Sequence, residues 1–225
     1  AVSDSGRVEM LPGKIFALNE KLYARVATYH LSTFAATAEP ITAFADVPSG
    51  AWCYDAVTYL SANGWMLGTT KEPAFGPDGA VTRGMLVQTL YRMSGSPAGA
   101  KTAAFADVKA GSPYADAVDW AAAAGILSGY GNDLFGPQDP VSRQQLAVIL
   151  YRYAAYRGYD TAASQDLSGY ADWSSVANWA RDAVKWAGAS NIIQGTGGAL
   201  LSPADGATRA QLAVVLTRFC RNVAK

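Results

Sequence analysis

Val81-Thr82-Arg83-Gly84-Met85-Leu86 returns as Val141-Ser142-Arg143-Gln144-Gln145-Leu146, and again as Ala207-Thr208-Arg209-Ala210-Gln211-Leu212. A hydroxyl residue, an arginine and an apolar run in the same order mark an internal repeat, and a repeat of this length decides the architecture before any single element is considered. Counted between the arginines, the copies lie about 60 and 66 residues apart, with the slip falling in loops, where insertions are tolerated. Thr82, Ser142 and Thr208 stand where a helix N-cap belongs; Gln145 and Gln211 follow three residues later and complete a capping box, which Met85 cannot do. Leu86, Leu90 and Met93 then correspond to Leu146, Ile149, Leu150 and Tyr153, and to Leu212, Val215, Leu216 and Phe219. That spacing is helical.

Upstream of each arginine the same succession is found. Phe44-Ala45-Asp46-Val47 opens the first copy, Phe105-Ala106-Asp107-Val108 the second and the weaker Tyr170-Ala171-Asp172 the third. An alanine-rich stretch follows, with Ala56-Val57-Tyr59-Leu60, Ala117-Val118-Trp120-Ala121 and Ala183-Val184-Trp186-Ala187 on one helical face. It stops at Gly64, Gly125 and Asn191, residues suited to the left-handed helix end. Residues 68–77, 129–137 and 195–203 are turn-rich, so each unit reads as helix, loop, helix. A unit of about 50 residues cannot close a core alone, so the copies are predicted to pack together around a pseudo-threefold axis or as a short solenoid. The fold class is mainly all-α, with repeats at 41–98, 102–160 and 166–225 forming one domain. Residues 1–40 lie outside the period; Leu18, Leu22, Val26 and Tyr29 predict one helix there.

Composition narrows the chemistry. Eighteen Lys+Arg balance 18 Asp+Glu in 225 residues, so no global field favours nucleic acid or an anionic membrane. No apolar run approaches the roughly 18 to 20 residues of a membrane span. A signal peptide has either been removed or never existed. His30 has no Cys or second His near it, which leaves a His-based triad or zinc site without material. Cys53 and Cys220 sit at non-equivalent places in the first and third copies and make no C-x-x-C motif; they read either as two buried thiols or as one disulfide tying first repeat to last. No cofactor or metal is expected, nor is catalysis: acids are few, and the recurring Asp46, Asp107 and Asp172 read most simply as turn formers or caps of the following helix. The glycine-rich turns at 129–131 and 195–198 lack the Lys-Ser/Thr of a phosphate loop.

The arginines break a local rule. Arg83, Arg143 and Arg209 occupy the first helical position, where a cation opposes the helix dipole by roughly 0.3 to 1 kcal/mol. Its recurrence points either to an anion received jointly by the guanidinium and the helix N-terminus, or to a salt bridge with the repeat Asp. Trp52 and Trp179, at equivalent positions, read as core or, if exposed, as a sugar-stacking platform; the second copy has Pro113-Tyr114 there.

With these residues on the page, the chain resembles three tandem S-layer homology domains over about residues 42 to 223. The resemblance is carried by FADV at 44 and 105, WCYDAV at 52, WARDAV at 179, GILSGYG at 125, FGP at 75 and 135, and VTRGM, VSRQQ and ATRAQ around the arginines. It implies a pseudo-trimeric spindle on the bacterial cell surface, extracellular, whose grooves bind secondary cell-wall polysaccharide that often carries a pyruvate ketal. By resemblance, Arg83, Arg143 and Arg209 receive the anion, and Asp46, Asp107, Asp172, Trp52, Trp179, Gly68, Gly129 and Gly195 complete the grooves. The motif Glu is absent from all three copies, so one or two competent grooves are expected. The partner is a cell-wall polysaccharide and the role a non-catalytic anchor. The other reading is a protein-docking or self-assembly scaffold of a surface layer, with surface-layer proteins as partners and no glycan binding.

Overall fold

The computed structural model describes residues 13–18, 21–26, 44–69, 74–98 and 105–224. Six α-helices carry the repeats, two to a unit: α1 (Tyr54–Ala62) and α2 (Arg83–Met93), α3 (Ala115–Ala123) and α4 (Arg143–Tyr156), α5 (Arg181–Ala189) and α6 (Arg209–Asn222). The second helix of each pair starts as its sequence dictates. Thr82, Ser142 and Thr208 are extended N-caps whose hydroxyls accept from the amides of Met85, Gln145 and Gln211, and the reciprocal half of the box is made only by the two glutamines. The first helices end in the left-handed region at Gly64, Gly125 and Asn191 (φ +69°, +67° and +53°). In the third unit two 3-10 turns, Trp173–Ser175 and Asn178–Ala180, lead into α5.

The dominant helix contacts run between units. α2 packs on α3, α4 on α5, and α6 returns to α1. Each second helix thus buries its apolar stripe against the next unit, and because the third exchange returns to the first unit, the arrangement is a closed threefold rather than an open solenoid. At its axis the segments before the second helices form a backbone triangle: Val81 N–H donates to Ala207 O, Ala207 N–H to Val141 O, and Val141 N–H to Val81 O, each at 2.9 Å. All three residues are buried, so the triangle satisfies amides that water cannot reach. One contiguous core surrounds it, with Phe75, Phe135, Tyr153, Trp186 and Phe219 among its largest fully buried side chains; each is worth about 1.5 to 3 kcal/mol of burial.

The N-terminal segment departs from the helix predicted for it. Gly13–Leu18 (β1) and Lys21–Val26 (β2) pair antiparallel, from Gly13 opposite Val26 to Leu18 opposite Lys21. The spacing of four that links Leu18, Leu22 and Val26 fits one helical turn, but it is also a multiple of the strand period of two. Ile15, Phe16, Tyr23 and Val26 are strand-favouring residues, and two intervening residues are the commonest hairpin connection. Tyr29 and His30 lie outside the described residues. Among the described residues no helix is long and apolar enough to cross a membrane.

Candidate functional site

The three arginines at the second-helix N-termini reach across to the neighbouring unit. Arg83 donates from Nε to Phe135 O (2.9 Å) and from Nη2 to Ser128 O (2.7 Å). Arg143 does the same to Leu201 O (2.9 Å) and Gln194 O (2.6 Å), and Arg209 to Phe75 O (2.9 Å) and Leu67 O (2.7 Å). The helix N-termini themselves are closed. The amides of Arg83 and Gly84 donate to Asp139 O and Pro137 O, those of Arg143 and Gln144 to Asp205 O and Pro203 O, and those of Arg209 and Ala210 to Gly79 O and Pro77 O. With the third amide taken by the cap hydroxyl, the first three helical amides offer no donor to an anion, which corrects the joint guanidinium-and-terminus reading. The recurring arginine is explained instead by direction: its side chain leaves the helix to grip carbonyls of the next unit.

The aspartates hold the other face of those same turns. Asp46 accepts from Phe75 N and Gly76 N at 2.8 and 2.7 Å, Asp107 from Phe135 N and Gly136 N at 2.8 and 2.7 Å, and Asp172 from Leu201 N and Ser202 N at 2.8 and 2.7 Å. They do not cap the following helix: Cys53 and Tyr114 are the N-caps of α1 and α3, and neither they nor Asp172 makes a side-chain cap bond. Arg and Asp therefore meet through one peptide, whose carbonyl takes the guanidinium and whose N–H gives to the carboxylate. Burial alone would raise the Asp46 and Asp107 carboxyls, but the backbone N–H bonds, with Arg209 and Arg83 nearby, outweigh it and hold both below the usual range.

The guanidiniums are held but not neutralised. Burial lowers all three pKa values, and Arg83 and Arg143 are 4% and 9% exposed. Two of the five N–H groups of each fork are engaged by carbonyls. Among the described residues Nη1 of each fork has no hydrogen-bond partner and is not a sealed atom, so each fork keeps a narrow opening although Arg83 and Arg143 are otherwise buried. It lies in the cleft between one unit's helix N-terminus and the next unit's glycine turn.

The clefts differ in their aromatics. Arg83 lies between Tyr130 and Phe135, its Cζ 4.4 and 4.7 Å from the ring centroids, and Arg209 lies 4.5 Å from Phe75. Arg143 has Leu201 in place of the phenylalanine. Trp52 and Trp179 are 70% and 60% exposed, which removes the core reading for both. The turn carrying Trp179 packs on α4 and is tied to its N-terminus by Ala177 N–H donating to Gln144 Oε1 at 3.0 Å. In the second copy Pro113 takes this place, and the next residue, Tyr114, sets its ring against Gly84 at the start of α2 and bonds its hydroxyl to Gln138. Tyr114 and Tyr130 are site residues that the repeat pattern does not mark; the aromatic inside an otherwise glycine-built turn at 129–131 is the one signal for Tyr130 in the sequence.

Gly68, Gly129 and Gly195 owe their identity to packing. A Cβ on Gly129 would stand 2.5 Å from Leu134 O and 2.6 Å from the Phe105 ring, and the other two meet Phe44 and Tyr170 at 2.8 and 2.9 Å. They seat each turn on the ring that opens its unit. Cys53 and Cys220 are free thiols, so of the two readings the disulfide is not the one adopted. Cys53 caps the start of α1, whereas Cys220 is hydrogen-bonded to the Tyr59 side chain, six residues further along, and burial pushes its pKa up to about 11. Among the described residues no group of three or more His, Cys, Asp or Glu side chains is placed to hold a metal ion.

The family model for the S-layer homology domain matches residues 43–84, 104–147 and 169–213. The chain is 28% identical over 210 residues to an endoglucanase of Bacillus sp. (strain KSM-635), covering 93% of this chain and 22% of that protein. It is 28% identical over 189 residues to an amylopullulanase of Thermoanaerobacterium thermosulfurigenes, covering 83% and 10%. It is 34% identical over 122 residues to a surface-layer 125 kDa protein of Lysinibacillus sphaericus, covering 53% and 10%. The chain thus spans between about a tenth and about a fifth of the length of these relatives.

Proposed function

Because the chain belongs to the S-layer homology domain family, a cell-wall anchoring module of extracellular surface proteins, we propose that its inter-repeat clefts bind an anionic secondary cell-wall polysaccharide. The acid group, a pyruvate ketal or a comparable carboxylate, meets the outer edge of Arg83, Arg143 or Arg209. One observation carries this reading: each guanidinium is fixed by two backbone carbonyls, is desolvated, and among the described residues touches no carboxylate. A cation held in place without its counter-ion is preorganised for a planar anion, because the ordering of the side chain has already been met by the fold. Tyr114 and Trp179 supply stacking faces for sugar rings beside the N-termini of α2 and α4, and the exposed Trp52 is offered as their counterpart in the first unit. The Asp and Gly residues hold the turns rather than the ligand. The role is anchoring without catalysis.

Retention on purified anionic wall polysaccharide, compared with the same polymer stripped of its acid groups, tests the reading. Wild type is expected to be held only by the charged polymer and released by salt, and Arg143→Lys, which keeps the charge but loses the fork, to be held less. Equal retention on both polymers, or on neither with oligomers growing with concentration in light scattering, would sink it in favour of a protein-docking scaffold.

A further inference from the structure

A cavity of about 270 Å³ lies between the segment entering the third unit and α5, and has no charged residue in its wall. Its size is just below the ~300 Å³ at which small-ligand pockets begin, so it suits one sugar ring and not a longer piece of chain. Three carboxamides, Gln165, Asn191 and Gln194, and the phenol of Tyr170 line it over an apolar floor that includes Leu167. Among the described residues none of these four side chains has a hydrogen-bond partner, and none is a sealed atom. Carboxamides and a phenol both give and accept hydrogen bonds, which matches hydroxyl groups rather than an anion.

The polar wall belongs to the third unit alone. Where it has Tyr170, the others have Phe44 and Phe105; where it has Gln194, they have Leu67 and Ser128. Asn191 holds a left-handed backbone position at which Gly64 and Gly125 serve elsewhere, and it brings a side chain to a place where they have none. Gln165 lies in the longer stretch that precedes this unit. The cavity also adjoins the Arg143 cleft, since Gln194 and Leu201, both in its wall, are the residues whose carbonyls Arg143 grips.

The geometry points to a subsite for an uncharged sugar ring, next to the anionic unit seated at Arg143 and built by Tyr170, Asn191 and Gln194. This inference rests on the polysaccharide reading above. It makes the cleft between the second and third units the one that reads two successive sugars, while the other two clefts read the acid group alone.

The test is an NMR titration of the whole chain with glucose, with N-acetylglucosamine and, separately, with pyruvate. The reference is a Tyr170→Phe, Asn191→Gly, Gln194→Ser variant, in which every change introduces the residue of the second unit and the carbonyl held by Arg143 is kept. At least one neutral sugar is expected to move the side-chain amide signals of Asn191 and Gln194 in the wild type, with affinity about tenfold lower in the variant, equivalent to one or two hydrogen bonds. Pyruvate is expected to move the Arg143 signals equally in both. No shift with either sugar, or equal affinity in the variant, overturns the subsite and leaves the anion reading standing. Sugar binding lost in the variant, with pyruvate inert at Arg143, supports the subsite and overturns the anion reading.

Discussion

At the scale of the residue, one peptide in each unit explains most of the repeated sequence. Its carbonyl takes an arginine from the preceding unit and its N–H gives to an aspartate of its own, as Phe135 O and Gly136 N–H do for Arg83 and Asp107. Removing Arg143 leaves Leu201 O and Gln194 O without donors, so Arg143→Ala is expected to cost roughly 3 kcal/mol in urea unfolding. Arg143→Lys should recover only part of this, because a single ammonium cannot span both carbonyls. Gly129→Ala sets a methyl against backbone and ring and is expected to cost about 3 kcal/mol by the same measurement. The aspartates add a pH dependence. Asp46 and Asp107 bind a proton less readily when folded than when unfolded, so the stability they contribute is complete above the unfolded value near 4 and is lost as pH falls through the lower folded value. Urea midpoints should therefore be steady from about pH 6 to pH 5 and drop below about pH 4, and Asp107→Asn should flatten that acid limb. The presence of these residues was legible in the sequence, and their partners were not. In a pseudo-symmetric chain the same arginine can face its own unit or the next, and spacing alone does not distinguish the two.

At the scale of the element, the second helices were legible from cap to last apolar residue, because their signals are local: a hydroxyl N-cap, a glutamine three residues on and an apolar stripe. The first unit's deviation was legible as well. Met85 stands exposed where the other units close the capping box, and Met85→Gln is expected to add about 0.5 to 1 kcal/mol, read as a higher thermal midpoint. The hairpin of β1 and β2 was not legible as such, since a spacing of four satisfies helix and strand alike and no cap signal separated the two. The 3-10 turns before α5 were missed for a different reason. They arise where the third unit's Trp173 to Ala180 stretch is drawn onto the N-terminus of α4 by Gln144, a tertiary contact with no local signature.

At the scale of the whole molecule, three helix exchanges and one backbone triangle hold units that have no separate cores. A single cooperative transition is expected in urea, with fluorescence and circular dichroism midpoints coinciding; two separated midpoints would show that a unit folds by itself. The inability of one unit to bury its own stripes required the units to pack together but left a threefold and a short solenoid open. The closed threefold was implied by the family resemblance, and the handover of helices between units was not legible, because the sequence names the stripes without naming what they lie against. The three joints are alike in their hydrogen bonds and unlike in their covalent continuity. From the first unit to the second, and from the second to the third, the polypeptide itself crosses the joint. Between α6 and α1 no peptide crosses it; that joint is held by the Arg209 side chain, by the backbone hydrogen bonds of Val81 to Ala207, Arg209 to Gly79 and Ala210 to Pro77, and by side-chain packing. Tension applied between residues 44 and 224 is shared between this joint and the two that the backbone spans, so the domain is a clasp whose α6–α1 joint is the one that can part without any stretch of backbone being drawn out across it.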